Sequence, residues 1–243
     1  VTNQFTIGNA NPTIVLPTIS AGGGASTPQY ATNTLYGPAS VALTPPTTNG
    51  WTMQYDLGSA TNVASNPLLT VNIASNYINI VGQYTNANAN AVLFYKGYTA
   101  PATQTVYWVG DYARSAGRYY PALMSVFFRD ASGKRAVLSF YVSANAPGMG
   151  TGKVNADTSY SGDYNAQPSS ATHPNWARII DDGVNRICQT SNDGISWVTF
   201  HTVSRTDFLT PTQMGWSVNY AGTTAGAITT PTYETTVWSL TGP

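Results

Sequence analysis

The stretch "RICQTSNDGISWVTFH", residues 186–201, decides how the rest of the chain reads. Two runs of alternating apolar and polar residues flank Ser191-Asn192-Asp193-Gly194, and Trp197 follows three residues after the glycine. Period-two alternation places successive side chains on opposite faces of a strand. An Asp-Gly pair between two such runs signals a hairpin, because the turn needs a positive φ that glycine adopts without steric cost. The stretch therefore reads as two antiparallel strands and a tight turn. Strict alternation puts Trp197, Thr199 and His201 on one face and Val198 and Phe200 on the other, with Trp197 expected to cap a sandwich edge.

The same pattern extends in both directions. "MGWSVNYAG" and "ETTVWSLTG" continue a meander towards the C-terminus, and "NWARII" and "TQTVYWVG" precede it. "PALMSVFFRDASGKRAVLSFYVSA" contains a second hairpin, with Asp130-Ala131-Ser132-Gly133 as its turn. "WTMQYDLG" (51–58), "LLTVNIAS" (68–75), "YINIVGQYT" (77–85) and "AVLFYKGY" (91–98) are further strands. No segment carries a capped 3.6-residue apolar stripe, so helix is not expected. About a dozen short strands with tight turns predict an all-β chain, an antiparallel two-sheet β-sandwich of jelly-roll type. "AGGGAS" at 21–26 separates a short N-terminal arm, residues 1–26, from the sandwich, residues 27–243. The polar stretch 146–174 is expected to be a long loop.

Charge is scarce: 8% of the 243 residues, against a usual quarter, with ten basic and ten acidic residues cancelling. This leaves no basic surface for nucleic acid or for anionic lipid. Asp56 is the only charged residue before Lys96, and the first 95 residues are rich in Thr, Asn, Ser, Ala, Gly and Pro. Polar strands that pack against other virion proteins or other copies of the chain, as a homo-oligomer, fit that composition. No apolar run reaches about eighteen residues, so no membrane insertion by a helix is expected. The single cysteine, Cys188, excludes an internal disulfide framework. With 12% aromatics, the profile fits an extracellular or virion-surface location.

From Trp176 onward the order is Trp-x-Arg-Ile, Asp-Asp-Gly, a strand, Ser-Asn-Asp-Gly-Ile-Ser-Trp, a strand, Arg205-Thr-Asp-Phe-Leu-Thr-Pro, Gly215-Trp-Ser-Val and Thr236-Val-Trp-Ser-Leu. This resembles the C-terminal meander of concanavalin A-like lectin/glucanase domains, including laminin-G-like modules. The likeness covers about a quarter of the chain. The low-charge N-terminal part is similar in composition to bacteriophage tail and head surface proteins, which often carry such sandwiches. The resemblance implies a carbohydrate-binding or polysaccharide-degrading protein.

Asp193, with Asp181 and Asp182, offers oxygens to Ca²⁺, whereas a turn aspartate usually bonds its own backbone. No other cofactor is expected. Glycoside hydrolysis generally needs two carboxyl groups about 5 to 10 Å apart. Glucanases resembling this fold carry clustered glutamates, but this chain has only Glu234, and the adjacent Asp181 and Asp182 diverge on a strand. "FYKGY" at 94–98 resembles an alginate-lyase strand, without that family's Gln-x-His partner. Cys188 lies mid-strand with no activating base, and His173 and His201 are too few for a usual zinc site.

The remaining constellation is "VYWVGDYARSAGRYY", residues 106–120. Aromatic faces stack on sugar rings, and charged groups take hydroxyls through charge-assisted hydrogen bonds. Tyr107, Trp108, Asp111, Arg114, Arg118, Tyr119 and Tyr120 are the expected glycan contacts. Asn219, with Tyr220, is a second candidate. Alternation also places Val106 and Trp108 on one face and Tyr107 and Val109 on the other, and one of these faces must be core. The expected function is non-enzymatic binding of a host-surface glycan by a phage tail or head accessory component. The alternatives are a structural virion protein without a ligand, and a polysaccharide-degrading enzyme.

Overall fold

β-branched and aromatic residues at every second position give the chain strands, and glycine at the turns returns them antiparallel. The computed structural model describes residues 4–6, 13–15, 43–56, 61–63, 65–83, 90–110, 123–143, 146–155, 160–167, 174–220 and 232–243. The chain divides into two units, Val1–Val41 and Ala42–Pro243. The first unit holds an antiparallel pair, β1 (Gln4–Thr6) and β2 (Thr13–Val15), with Phe5 opposite Ile14. The glycine-rich break at 21–26 lies inside this unit.

The second unit opens with β3 (Thr52–Asp56), β4 (Thr61–Val63), β5 (Leu69–Ile73), β6 (Ile78–Gln83), β7 (Ala91–Gly97) and β8 (Ala102–Gly110). A hairpin of β9 (Leu123–Arg129) and β10 (Arg135–Ser143) leads into β11 (Ala146–Val154) and β12 (Tyr160–Gln167). The C-terminal meander is β13 (Trp176–Asp181), β14 (Asn185–Ser191), β15 (Val198–Ser204), β16 (Gln213–Asn219) and β17 (Thr232–Thr241). Two antiparallel sheets result. One has eight strands in the order β12-β11-β10-β9-β16-β7-β3-β4, and the other has seven in the order β15-β14-β13-β8-β17-β6-β5. Among the described residues there is no helix. The expected all-β, two-sheet jelly-roll sandwich is the observed architecture.

Facing sides of the two sheets enclose one core. Ile78, Ile80, Val106, Trp108, Ala177, Ile179 and Val237 meet Val126, Leu138, Phe140, Trp216 and Val218 from the opposite sheet, all without exposed surface. Trp108 tilts against Phe140 with ring centroids 4.7 Å apart, which fills the space between the layers. Gln104 also points inward and is fully buried; its Nε2 donates to the Gly215 carbonyl at 2.9 Å, tying β8 to β16 across the core. Cys188 is free and buried, and burial pushes its thiol up to about 12.

Two local expectations need correction. The stretch 146–174 is not one long loop, because β11 and β12 lie within it. β11 is glycine-rich and carries little apolar alternation, so pairing with β10 rather than its own pattern makes it a strand. The second correction concerns β15. A bulge sets Thr199 opposite Gln189 but His201 opposite Cys188, leaving Phe200 as the extra residue. Thr199 therefore stays outside with Gln189, whereas Phe200 packs on the core and His201 lies 5.0 Å from the Tyr164 ring. Both Gly133 (φ 92°) and Gly194 (φ 74°) take the conformation their turns require.

Candidate functional site

Alternation leaves the outer face of the eight-stranded sheet with its own side-chain set. On β7, Val92 and Phe94 enter the core, while Ala91, Leu93 and Tyr95 point away from it. The strand registers align these outer residues in rows. Tyr95, Gly215, Phe127, Val137 and Gly152 form one row across five strands. Leu93, Ser217, Ser125, Ser139 and Gly150 form the next, and Gln213, Arg129 and Arg135 lie on the other side of the first. Gly215 is required at its place: a Cβ would come within 2.5 Å of the Phe127 ring, which lies across the strand.

This face combines planar polar groups with an aromatic centre. Arg129 and Arg135 stand directly opposite each other, an arrangement that repels unless each charge is taken elsewhere. Arg129 lies 4.4 Å over the Tyr95 ring and donates from Nη1 to Gln213 Oε1. Arg135 reaches Asp56 at 3.8 Å and sits 5.8 Å from the Phe127 ring. The Tyr95 hydroxyl donates to Gln54 Oε1 at 3.2 Å, and the Ser125 and Ser139 hydroxyls share a hydrogen bond of 2.9 Å. Ala91, Leu93 and Phe127 are buried beneath this network, while Tyr95, Arg129, Ser139, Gln213 and Asn219 are half-buried. The accessible groups are thus a phenol, a guanidinium, two amides and a hydroxyl.

The sequence-predicted residues are divided among different places. Trp108 has no exposed surface, so it has none to offer a ligand; it belongs to the core. Tyr107 is on the outer face of the seven-stranded sheet, where it stacks on Trp176 at 4.6 Å and is 4% exposed. Asn219 does lie on the outer face of the eight-stranded sheet, and its Oδ1 accepts the Asn90 backbone N–H at 2.9 Å. Tyr220 is buried, with its hydroxyl on the Ile80 carbonyl and the Thr235 hydroxyl. Asp111, Arg114, Arg118, Tyr119 and Tyr120 lie outside the described residues. Gln54, Tyr95, Arg129, Arg135 and Gln213 were missed. A readable signal existed for two of them, because Arg129 and Arg135 flank the Asp130–Gly133 turn and hairpin register sets them opposite.

The hairpin around Asp193-Gly194 builds a clasp of its own. Trp197 stacks under Arg178 at 4.0 Å, meets Trp176 edge-on at 6.5 Å, and donates from Nε1 to the Gly194 carbonyl. Burial lowers the Arg178 guanidinium from its ordinary value. A Cβ on Gly194 would come within 2.8 Å of the Trp176 ring, so that glycine serves packing as well as the turn.

The three aspartates named for calcium are not brought together. Asp181 turns inward, accepts the Tyr98 hydroxyl at 2.6 Å and is paired with Arg205 at 2.8 Å. Asp182 and Asp193 cap separate turns, accepting Val184 and Asn185 N–H groups, and Ile195 and Ser196 N–H groups, respectively. These backbone donors hold Asp182 below the usual carboxylate range and Asp193 at about 2. Among the described residues, no group of three or more His, Cys, Asp or Glu is arranged to hold a metal ion. Asp56, on the outer face of the eight-stranded sheet, is closed off by Arg135 and 2% exposed.

Layer order, register and core define an antiparallel two-sheet jelly roll. No protein-family model matches the sequence, and no curated protein matches it either. Solved structures do. A crystal structure of a functionally unknown protein from Saccharomyces cerevisiae aligns over 81% of this chain and 98% of its own, with 14% identity and a TM-score of 0.52. A legume lectin-like domain from Entamoeba histolytica aligns over 80% and 90%, with 12% identity and a TM-score of 0.47. A family 7 alginate lyase in complex with product aligns over 81% and 95%, with 9% identity and a TM-score of 0.45. At these identities the likeness is one of fold.

Proposed function

We propose that this protein is a non-enzymatic carbohydrate-binding module of an extracellular or virion surface, a phage tail or head accessory component being the best-fitting setting. Its glycan lies on the outer face of the eight-stranded sheet. The observation that carries the reading is the pairing of Tyr95, Arg129 and Gln213 on one accessible patch, next to a carboxylate already neutralised by Arg135. Such a patch offers a ring to stack on and donors for hydroxyls, while Asp56 is engaged by Arg135 rather than free for acid–base work. Contacts of this kind are individually weak and gain strength when copies are displayed together. The near-absence of charge before Lys96 supports display on a larger assembly.

Glycan-array binding followed by calorimetric titration tests the reading. Arg129→Ala and Tyr95→Ala should each weaken binding at least tenfold while the protein stays folded. No glycan signal from an assembled, native protein would replace this reading with a structural virion role. Turnover of any polysaccharide in a panel would replace it with an enzymatic one.

A further inference from the structure

Inside the sandwich, towards edge strands β12 and β15, a cluster of polar groups is not used by the outer face. Arg186 on β14 points into the sandwich and is 1% exposed. Its Nη2 donates to the Asp207 carbonyl and to the Tyr164 hydroxyl, the latter at 3.3 Å. Its Nε and Nη1 have no hydrogen-bond partner among the described residues. Asp181 stands directly across from Arg186 in the strand register, but both its oxygens are already taken by Arg205, Tyr98 and the Gly183 N–H. A guanidinium remains charged in a protein, and a buried charge is costly unless an opposite charge meets it.

Other groups converge on the same place. Lys153 Nζ lies 4.2 Å over the Tyr164 ring and 3.7 Å from Asp207 Oδ2, beyond hydrogen-bond distance. His201 Nε2 and Asp207 Oδ2 are also buried without a hydrogen-bond partner among the described residues, and the His201 ring is 5.0 Å from Tyr164. Within the cluster, Arg186, Lys153 and Arg205 oppose Asp181 and Asp207, an excess of one positive charge. The segment that follows β15 carries Phe208 at φ 66°, a left-handed conformation rare for an aromatic residue, beside Lys134 and Lys153. Backbone strain of this kind concentrates where a loop serves a site rather than its own stability.

We infer that this cluster is a binding site for a carboxylate, held by the free N–H groups of Arg186 together with Lys153, Tyr164 and His201. Guanidinium, ammonium and phenol donors arranged around an unmet positive charge match a carboxylate oxygen pair. Burial pushes Tyr164 up to about 12, so its hydroxyl keeps its proton, which it gives to the Asp207 carbonyl at 3.4 Å and would redirect to a bound carboxylate. His201 is held below its ordinary value, first by burial and then by Arg186, and is surrounded by Arg186, Lys153, Asp207, Tyr164 and Cys188. An anion at Arg186 therefore draws a proton onto His201. The site is separate from the outer face, and its test does not depend on that reading.

The test titrates the full chain with sodium acetate, sodium glucuronate and sodium sulfate against sodium chloride at equal ionic strength. Melting temperature and the His201 ring resonances by NMR are recorded. A saturable stabilisation by acetate or glucuronate is expected, with the His201 titration midpoint moving up on binding. Lys153→Gln, at a partly exposed position, should weaken the response at least fivefold without unfolding the protein, and Arg186→Lys should weaken it further. Equal responses to acetate and glucuronate identify the carboxylate alone as the ligand; a response to glucuronate only identifies an acidic sugar. No saturable response to either carboxylate, a response to sulfate only, or an unchanged response in Lys153→Gln overturns the assignment.

Discussion

Asp181→Ala isolates the main ionic contact of the sandwich interior. The carboxylate is fully buried and accepts the Tyr98 hydroxyl at 2.6 Å, Arg205 Nε at 2.8 and 3.0 Å, and the Gly183 N–H at 3.0 Å. Removing one member of a buried ion pair costs about 3–5 kcal/mol, because its partner is left desolvated. Arg205 is 27% exposed and recovers some hydration, which lowers the figure. The Tyr98 hydroxyl loses its acceptor, at about 1–3 kcal/mol. The expected net loss is about 3 kcal/mol, or about 6–12 °C in melting temperature for a chain of this size. Urea denaturation followed by tryptophan fluorescence measures it. Comparison with Arg205→Ala and the double variant should show a coupling of at least ~1 kcal/mol. A loss below about 1 kcal/mol, or strict additivity in the cycle, would refute the reasoning.

Gly215→Ala should destabilise by about 2 kcal/mol, because its Cβ would meet the Phe94 carbonyl oxygen at 2.4 Å and the Phe127 ring at 2.5 Å. By displacing Phe127 it should also weaken glycan binding in the fraction that remains folded, as read by calorimetric titration. Asp193 is held at about 2 against an ordinary 3.8, chiefly by the Ser196 and Ile195 N–H groups. A depressed carboxyl contributes stability that is complete above its unfolded value and is lost as pH falls through the folded one. Acid unfolding should therefore steepen between about pH 4 and pH 2, and Asp193→Ala should flatten that limb. His201 has the same sign for a different reason: its neutral form is favoured by folding, so its contribution is complete above 6.5 and declines as pH drops below that value. Cys188, buried and pushed up to about 12, should not react with a disulfide thiol reagent until the chain unfolds, with the reaction rate following denaturant concentration.

Local chemistry was legible where one residue type has one conformational reason. Gly133 and Gly194 sit at positive φ in the turns that their neighbours announced. Val106 and Trp108 share the core face, as alternation required. Legibility failed where pairing partners determine the outcome. β11 reads as loop because its outward positions are glycines, yet its ladder with β10 makes it a strand. The bulge in β15 sends His201 inward, although unbroken alternation would keep it with Trp197. Trp108 was named as a ligand contact because aromatics cluster around it in sequence, but a cluster in sequence includes both faces of a strand.

By itself the sequence determined the strand periodicity, the tight turns, the absence of an internal disulfide and the two-layer architecture, since these depend on residues within a few positions of one another. The tertiary structure alone decided that Arg129, Tyr95 and Gln213 share one patch and that Asp181 belongs to Arg205. It also decided that Arg186 is left with unmet donors beside Lys153, Tyr164 and His201. Those groupings join strands far apart in the chain, and their register is set by packing of the two sheets rather than by any local preference.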